Sequence, residues 1–142
     1  MSAATLLRVY ERAYVLPEEL PGFLRATMRF YGVRPTIRFA MPARAMHVIG
    51  LESPAVSFSV VSAPAEHLAP LRDTAQTVLV ADIDRALAEI TAAGGAIRQP
   101  KTAVPPGFQA RGQLPGGPVI EFAQWDTAEA FRDPDLSDLG IG

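Results

Sequence analysis

The sequence predicts an α+β chain in which one motif, strand–helix–three strands, is written twice. Three observations carry that reading. Residues 6–16, "LLRVYERAYVL", alternate in polarity with a period of two, and the segment that follows repeats its apolar residues at three- and four-residue spacing. The same order restarts at "QTVLVAD", a strand-like run that ends in an aspartate suited to cap a helix. The chain then closes on two apolar segments joined by a Pro-Gly-Gly turn within "LPGGPVIEF".

In the first strand Leu7, Val9, Ala13 and Val15 alternate with Arg8, Tyr10, Arg12 and Tyr14, so the two sets face opposite sides. Glu18 and Glu19 suit the first turn of a helix. Its apolar stripe is Phe23, Leu24, Thr27, Met28 and Tyr31, and Gly32 closes it, while Pro21 and Gly22 limit how early it becomes regular. "TIRFAM", "AMHVIGL" and "AVSFSVVS" read as three short strands separated by "PAR" and "ESP". A Pro/Ala-rich crossing, "APAEHLAPLRDTA", leads into the second unit. There Asp82 caps a helix with Ala86, Leu87, Ile90 and Ala93 on one face, Gly94 and Gly95 stop it, and "AIRQP", "FQARGQL" and "PVIEFAQW" supply three more strands. The expected organisation is a single domain, with modules over roughly 5–62 and 74–125 and an acidic tail over 126–142. In that tail a short helix around Ala128 to Phe131 followed by a loose end is expected.

Composition narrows the function classes. A chain of 142 residues with 49% hydrophobic residues can bury one substantial core. The net charge of −2, with basic residues scattered along the chain, excludes a nucleic-acid footprint. Without cysteine there are no disulfides, thiolate metal sites or cysteine nucleophiles. No basic region followed by an apolar stretch opens the chain and no long apolar run occurs, so a cytoplasmic protein without a membrane segment is expected. There is no Gly-x-Ser-x-Gly elbow and no lysine-bearing phosphate loop; the glycine pairs at 94–95 and 116–117 serve turns.

Two βαβββ units in a chain of this size resemble the vicinal oxygen chelate superfamily, over roughly residues 5 to 125. "VADIDRALAEITAAGG" is similar to its second strand-to-helix junction, "FYGV" to the end of its first helix, and "LPGGPVIEF" to its final hairpin, with a glutamate mid-strand. The superfamily includes glyoxalases, extradiol dioxygenases, fosfomycin-modifying enzymes and bleomycin-binding resistance proteins, so the fold alone does not choose a chemistry. The resemblance implies strands curled into a cup, with helices on the convex side and the ligand on the concave side. Alternation then turns Tyr10, Arg12 and Tyr14 of the first strand into the cup, together with Val119, Glu121, Ala123 and Trp125 of the last. Phe39, His47, Phe58, Phe108 and Arg111 complete the candidate ligand-binding set.

Enzymes of the superfamily usually bind a divalent metal through histidine or glutamate on the leading strand of each unit and a glutamate on the last strand. Glu121 matches that last position, but the leading-strand positions fall on Tyr10 and Ala75, and a one-residue shift offers only Glu11 and Gln76. His47 and His67 are the only histidines, so no metal site can be assembled on this pattern and no cofactor is expected. What remains resembles the metal-free, drug-binding branch: a bacterial antibiotic-resistance type of protein that sequesters a hydrophobic, aromatic natural product without turnover. Such members commonly pair as homodimers, and the crossing "APAEHLAPLRD" is long enough to let two chains exchange modules. Two other readings stay open. One is a glyoxalase-like enzyme of lyase, isomerase or dioxygenase type, metal-free or metal-dependent, with Glu121 as general base and Tyr10 or Tyr14 as acid. The other is a dimeric interaction module whose cup is filled by its own side chains.

Overall fold

Both units form as the periodicity predicts. In the computed structural model, which describes residues 6–126 and 134–141, the first unit contains β1 (Leu6–Val15), α1 (Leu20–Tyr31), β2 (Arg34–Met41), β3 (Met46–Glu52) and β4 (Ser57–Ser62). A short helix, α2 (Ala65–Leu68), lies in the crossing and anchors it through buried Leu68. The second unit contains β5 (Thr74–Val80), α3 (Ile83–Ala92), β6 (Ala96–Val104), β7 (Gly107–Gln113) and β8 (Val119–Trp125).

The strands join into one curled eight-stranded sheet in the order β2-β3-β4-β1-β5-β8-β7-β6. The two units meet where β1 pairs antiparallel with β5, Tyr10 standing opposite Thr77. On either side a parallel pair repeats the same arrangement, with Arg12 opposite Ser59 in β1–β4 and Thr77 opposite Glu121 in β5–β8. The β1–β5 pairing thus joins the two units into one continuous sheet.

The amphipathic stripes decide which face each helix covers. Leu20 and Leu24 of α1 pack on Val15, Leu51 and Val60, while Ile83, Ala86 and Ile90 of α3 pack on Val80, Ala110 and Phe122. Asp82 caps α3 as expected, its Oδ1 accepting from the Arg85 N–H at 3.1 Å. The chain leaves α3 through Gly94 at φ +79°, a conformation costly for any residue with a Cβ, and the Gly95 N–H then donates to the Ile90 carbonyl at 2.9 Å.

The expected loose end is corrected by the structure. Leu136 is 3% exposed and packs with Leu139 and Ile141 against the α1 layer. Arg38 clasps Asp138 through two hydrogen bonds of 2.6 and 2.8 Å and donates to the Asp135 carbonyl at 2.9 Å. Apolar residues at three- and two-residue spacing within an acidic stretch carried that signal. The helix expected around Ala128 to Phe131 lies outside the described residues. Among the described residues no helix is long and apolar enough to cross a membrane.

Candidate ligand cup

The concave face is organised around Arg12. Its Nη1 donates to Glu121 Oε1 at 3.1 Å and to Thr77 Oγ1 at 3.0 Å, and its Nε donates to the Tyr14 hydroxyl at 3.1 Å. The Thr77 hydroxyl donates in turn to Glu121 Oε1 at 3.1 Å. The Tyr14 hydroxyl in turn lies 2.5 Å from the Leu71 carbonyl and 2.7 Å from that of Thr74, so its single proton serves backbone acceptors. The Arg12 and Glu121 side chains are 5% and 11% exposed, which makes this a buried, charge-assisted pair. Burial alone would favour the neutral form of Arg12, yet the Glu121 carboxylate and the Tyr14 hydroxyl hold its pKa above the usual arginine range. Both bonds to Glu121 converge on Oε1, and Oε2 accepts none among the described residues.

A second carboxylate sits across the junction. Glu52 Oε2 accepts from the Tyr10 hydroxyl at 2.8 Å and from the Thr36 hydroxyl at 2.5 Å, while its Oε1 pairs with Arg8 Nε at 3.0 Å. Tyr10 is 0% exposed. Its burial pushes the phenol pKa up, and the hydrogen bond and charge of Glu52 push it further. Trp125 lies against Tyr10 with ring centroids 6.0 Å apart, and Phe39 meets Trp125 edge-on at 5.8 Å. Ile37, Leu79 and Ala123 complete the cluster. Gly50 belongs beneath it, since a Cβ there would come within 2.4 Å of Ile37 Cγ2. This half of the cup is filled by the protein itself.

The other half is open. A small inner cavity of about 20 Å³ lies beside Arg12 and Glu121 and is also lined by Phe39, Val48, Gln109 and Arg111. It shares Arg44, Leu71, Gln99 and Arg111 with an outer cleft of about 620 Å³, whose walls include Glu66, His67 and Arg98. Arg111 is oriented by Gln99 Oε1 at 3.0 Å and reaches Asp73 at 3.4 Å. Arg98 donates twice to Gln113 Oε1, at 3.0 and 2.6 Å.

Of the residues expected to line the cup, Arg12, Phe39, Arg111 and Glu121 border the inner cavity. Tyr14 braces Arg12 from behind, and Tyr10 and Trp125 pack as core. His47, Phe58 and Phe108 do not reach the concave face, which corrects that part of the expected set. Met46 and Val48, the neighbours of His47, border the inner cavity, so the pleat sends an exposed His47 to the other side. Phe58 packs with the α1 layer, 4.7 Å from the Tyr31 ring. Phe108 is flanked by the cavity-lining Gln109 and lies under the Lys101 ammonium at 4.4 Å. Arg8, Thr36, Glu52, Thr77 and Arg98 escaped sequence reasoning, because each acquires its partners through tertiary pairing, and Arg44 because only the fold brings its turn to the cavity.

These residues do not fit a divalent metal. The last-strand carboxylate already holds a guanidinium where a cation would need it, and its register partners offer Thr77 and Arg111. Among the described residues no three of His, Cys, Asp and Glu converge closely enough to hold an ion.

No protein-family model and no curated protein sequence matches the chain. Solved structures do. An uncharacterized protein from Methanosarcina mazei is 21% identical, with a TM-score of 0.71 over 86% of this chain and 94% of that one. Methylmalonyl-CoA epimerase from Mycobacterium tuberculosis is 14% identical, with a TM-score of 0.63 over 87% and 92%. The Streptomyces coelicolor methylmalonyl-CoA epimerase in complex with 2-nitronate-propionyl-CoA is also 14% identical, with a TM-score of 0.57 over 92% and 100%. These likenesses show that the chain shares its fold with the epimerases.

Proposed function

We propose that the chain binds a small molecule in the open half of its cup without a metal. The observation that carries this reading is the state of Glu121: Arg12 and Thr77 occupy Oε1, while the same side chain borders an inner cavity that opens into the outer cleft. A carboxylate held by an arginine is a recognition group, able to accept a hydrogen bond from a ligand without moving. Tyr10, Phe39 and Trp125 pack on one another. A ligand therefore meets Phe39, Leu71 and the arginines rather than an open aromatic sandwich. Stoichiometric sequestration of a natural product remains the use we infer. Titrating candidate compounds while following Trp125 fluorescence and the melting temperature tests it; a ligand at a hundred times its Kd should stabilise the fold by about 2.7 kcal/mol. A panel that neither quenches nor stabilises removes the reading.

A second reading, an enzyme, is favoured by the epimerases among the structural neighbours. In that reading Glu121 Oε2 accepts a substrate proton and Arg12 steadies the negative charge that develops nearby. Tyr10 and Tyr14 do not suit the acid role, since their hydroxyls are committed to Glu52 and to backbone carbonyls. Turnover abolished by Glu121→Gln with ligand binding retained would favour this reading over sequestration. Metal analysis of chelator-free protein addresses the metal-dependent version, and near-stoichiometric metal would overturn the metal-free one.

Homodimerisation is also proposed. An apolar groove of about 480 Å³ between α3 and the sheet, lined by Leu6, Val9, Val78, Ile90, Leu114 and Ile120, supports it. Light scattering giving a 15.2 kDa species at micromolar concentration would count against it.

A further inference from the structure

We propose that the ligand of the cup carries a carboxylate or phosphate that docks against Arg44, Arg98 and Arg111 at its mouth, with a hydroxyl- or amine-bearing end directed at Glu121. This rests on the cup being a small-molecule site. The chain as a whole carries a net charge of −2, yet the outer cleft is lined by three arginines and one acid, Glu66. Such a local excess of positive charge in a concave site focuses the field on an incoming anion. Arg98 is oriented by the neutral Gln113, which fixes its plane without cancelling its charge, and Arg111 by the neutral Gln99, with only the largely exposed Asp73 at 3.4 Å as a counter-charge. The Arg44 guanidinium has no hydrogen bond or ion pair among the described residues. Forked guanidinium donors in fixed orientation match the paired oxygens of carboxylates and phosphates.

The backbone beneath Arg44 supports the same assignment. Arg44 ends a single turn of 3-10 helix, Pro42–Arg44, and the next residue, Ala45, has φ +49°, the one non-glycine in the left-handed region among the described residues. The His67 ring bonds the Arg44 carbonyl and holds the turn to the crossing. A strained position maintained by a long-range contact presents Arg44 in a fixed place at the mouth. Size then constrains the inner end. A cavity of about 20 Å³ takes roughly one water-sized group. A hydroxyl or amine is of that size and would donate to Oε2 of Glu121.

The test uses the intact chain at low salt with two probes, citrate for carboxylate and inorganic pyrophosphate for phosphate, read by calorimetry and melting temperature. Binding of either supports the proposal, and which one binds decides the anion. The affinity should fall about tenfold or more in Arg44→Ser/Arg98→Ser, whose exposed positions leave the fold intact, and should also fall as sodium chloride rises from about 50 to about 300 mM. Failure of both anions to bind, or undiminished binding by the double variant, overturns it. The neutral fluorophore N-phenyl-1-naphthylamine is titrated in parallel against Trp125 emission. If it binds and is competed by no anion while both anions fail, the cup reading stands and the anion assignment falls; if nothing binds, both fall.

Discussion

The two carboxylates on the concave face, half-buried Glu52 and buried Glu121, share a chemistry and differ in completeness. Glu52 receives three donors, two on Oε2 from Tyr10 and Thr36 and one on Oε1 from Arg8. Glu121 receives two, both on Oε1, and borders a cavity. The first is a cross-brace engaged on both oxygens that ties β1 to β2 and β3, beside the hydrophobic cluster of Tyr10, Ile37 and Trp125. The second keeps acceptor capacity on the side where the cup is open. In a low-dielectric site an acceptor left over after folding is free for ligand recognition, whereas an engaged one serves stability.

Breaking the second pair should have the largest effect on stability. Glu121→Leu leaves the Arg12 charge buried without its partner, a loss expected to cost about 3–5 kcal/mol, whereas Arg12→Met/Glu121→Leu should recover most of it, because two apolar groups no longer carry a desolvation penalty. Urea denaturation of the wild type, both single variants and the double variant gives the coupling energy. A Glu121→Leu chain as stable as wild type would mean that the pair is not closed in solution.

The Glu52 brace should respond less to a single change, since it has several donors. Tyr10→Phe removes one of three and leaves the ring packing intact, at an expected cost of about 1–2 kcal/mol. It also supplies a pH signature. The folded chain holds the Tyr10 proton above the ordinary phenol value of 10.0, so the group's contribution is fully present below pH 10 and is lost as pH rises beyond it, where the unfolded chain ionises first. Stability measured from pH 8 to 11.5 should therefore decline above pH 10 more steeply in the wild type than in Tyr10→Phe. Equal slopes would place the Tyr10 hydroxyl in contact with water.

Much of this was legible in the sequence. A strand whose polar and aromatic residues alternate with aliphatic ones reveals which way it points, and β1 does so with Tyr10, Arg12 and Tyr14. Strand β8, apolar on both faces but for Glu121 and Gln124, takes its orientation from Ile120 and Phe122 lying under the helix layer. β3 and β4 are apolar on both faces, with Val48 and Ile49 adjacent in one and Val60 and Val61 in the other. Alternation within such a strand has no phase, so it cannot say on which side the candidates His47 and Phe58 lie. The partners of the central groups were hidden for a different reason. Arg12 and Glu121 are separated by 109 residues and Tyr10 and Glu52 by 42, and only the order of strands in the sheet brings them together.

The smallest expected effect sharpens the comparison most directly. Ser59 stands opposite Arg12 across β1 and β4, as Glu121 stands opposite Thr77 across β5 and β8, so the two residues hold equivalent places in the two modules. Glu121 is engaged there, but the Ser59 hydroxyl is buried with no hydrogen-bond partner. A buried hydroxyl without a partner costs stability that its removal returns, so Ser59→Ala should be neutral or stabilising by up to about 1 kcal/mol, against the usual destabilising direction of core substitutions. A clear loss of stability in Ser59→Ala would mean instead that an ordered water satisfies the hydroxyl, and that the Glu52 half of the cup is not dry.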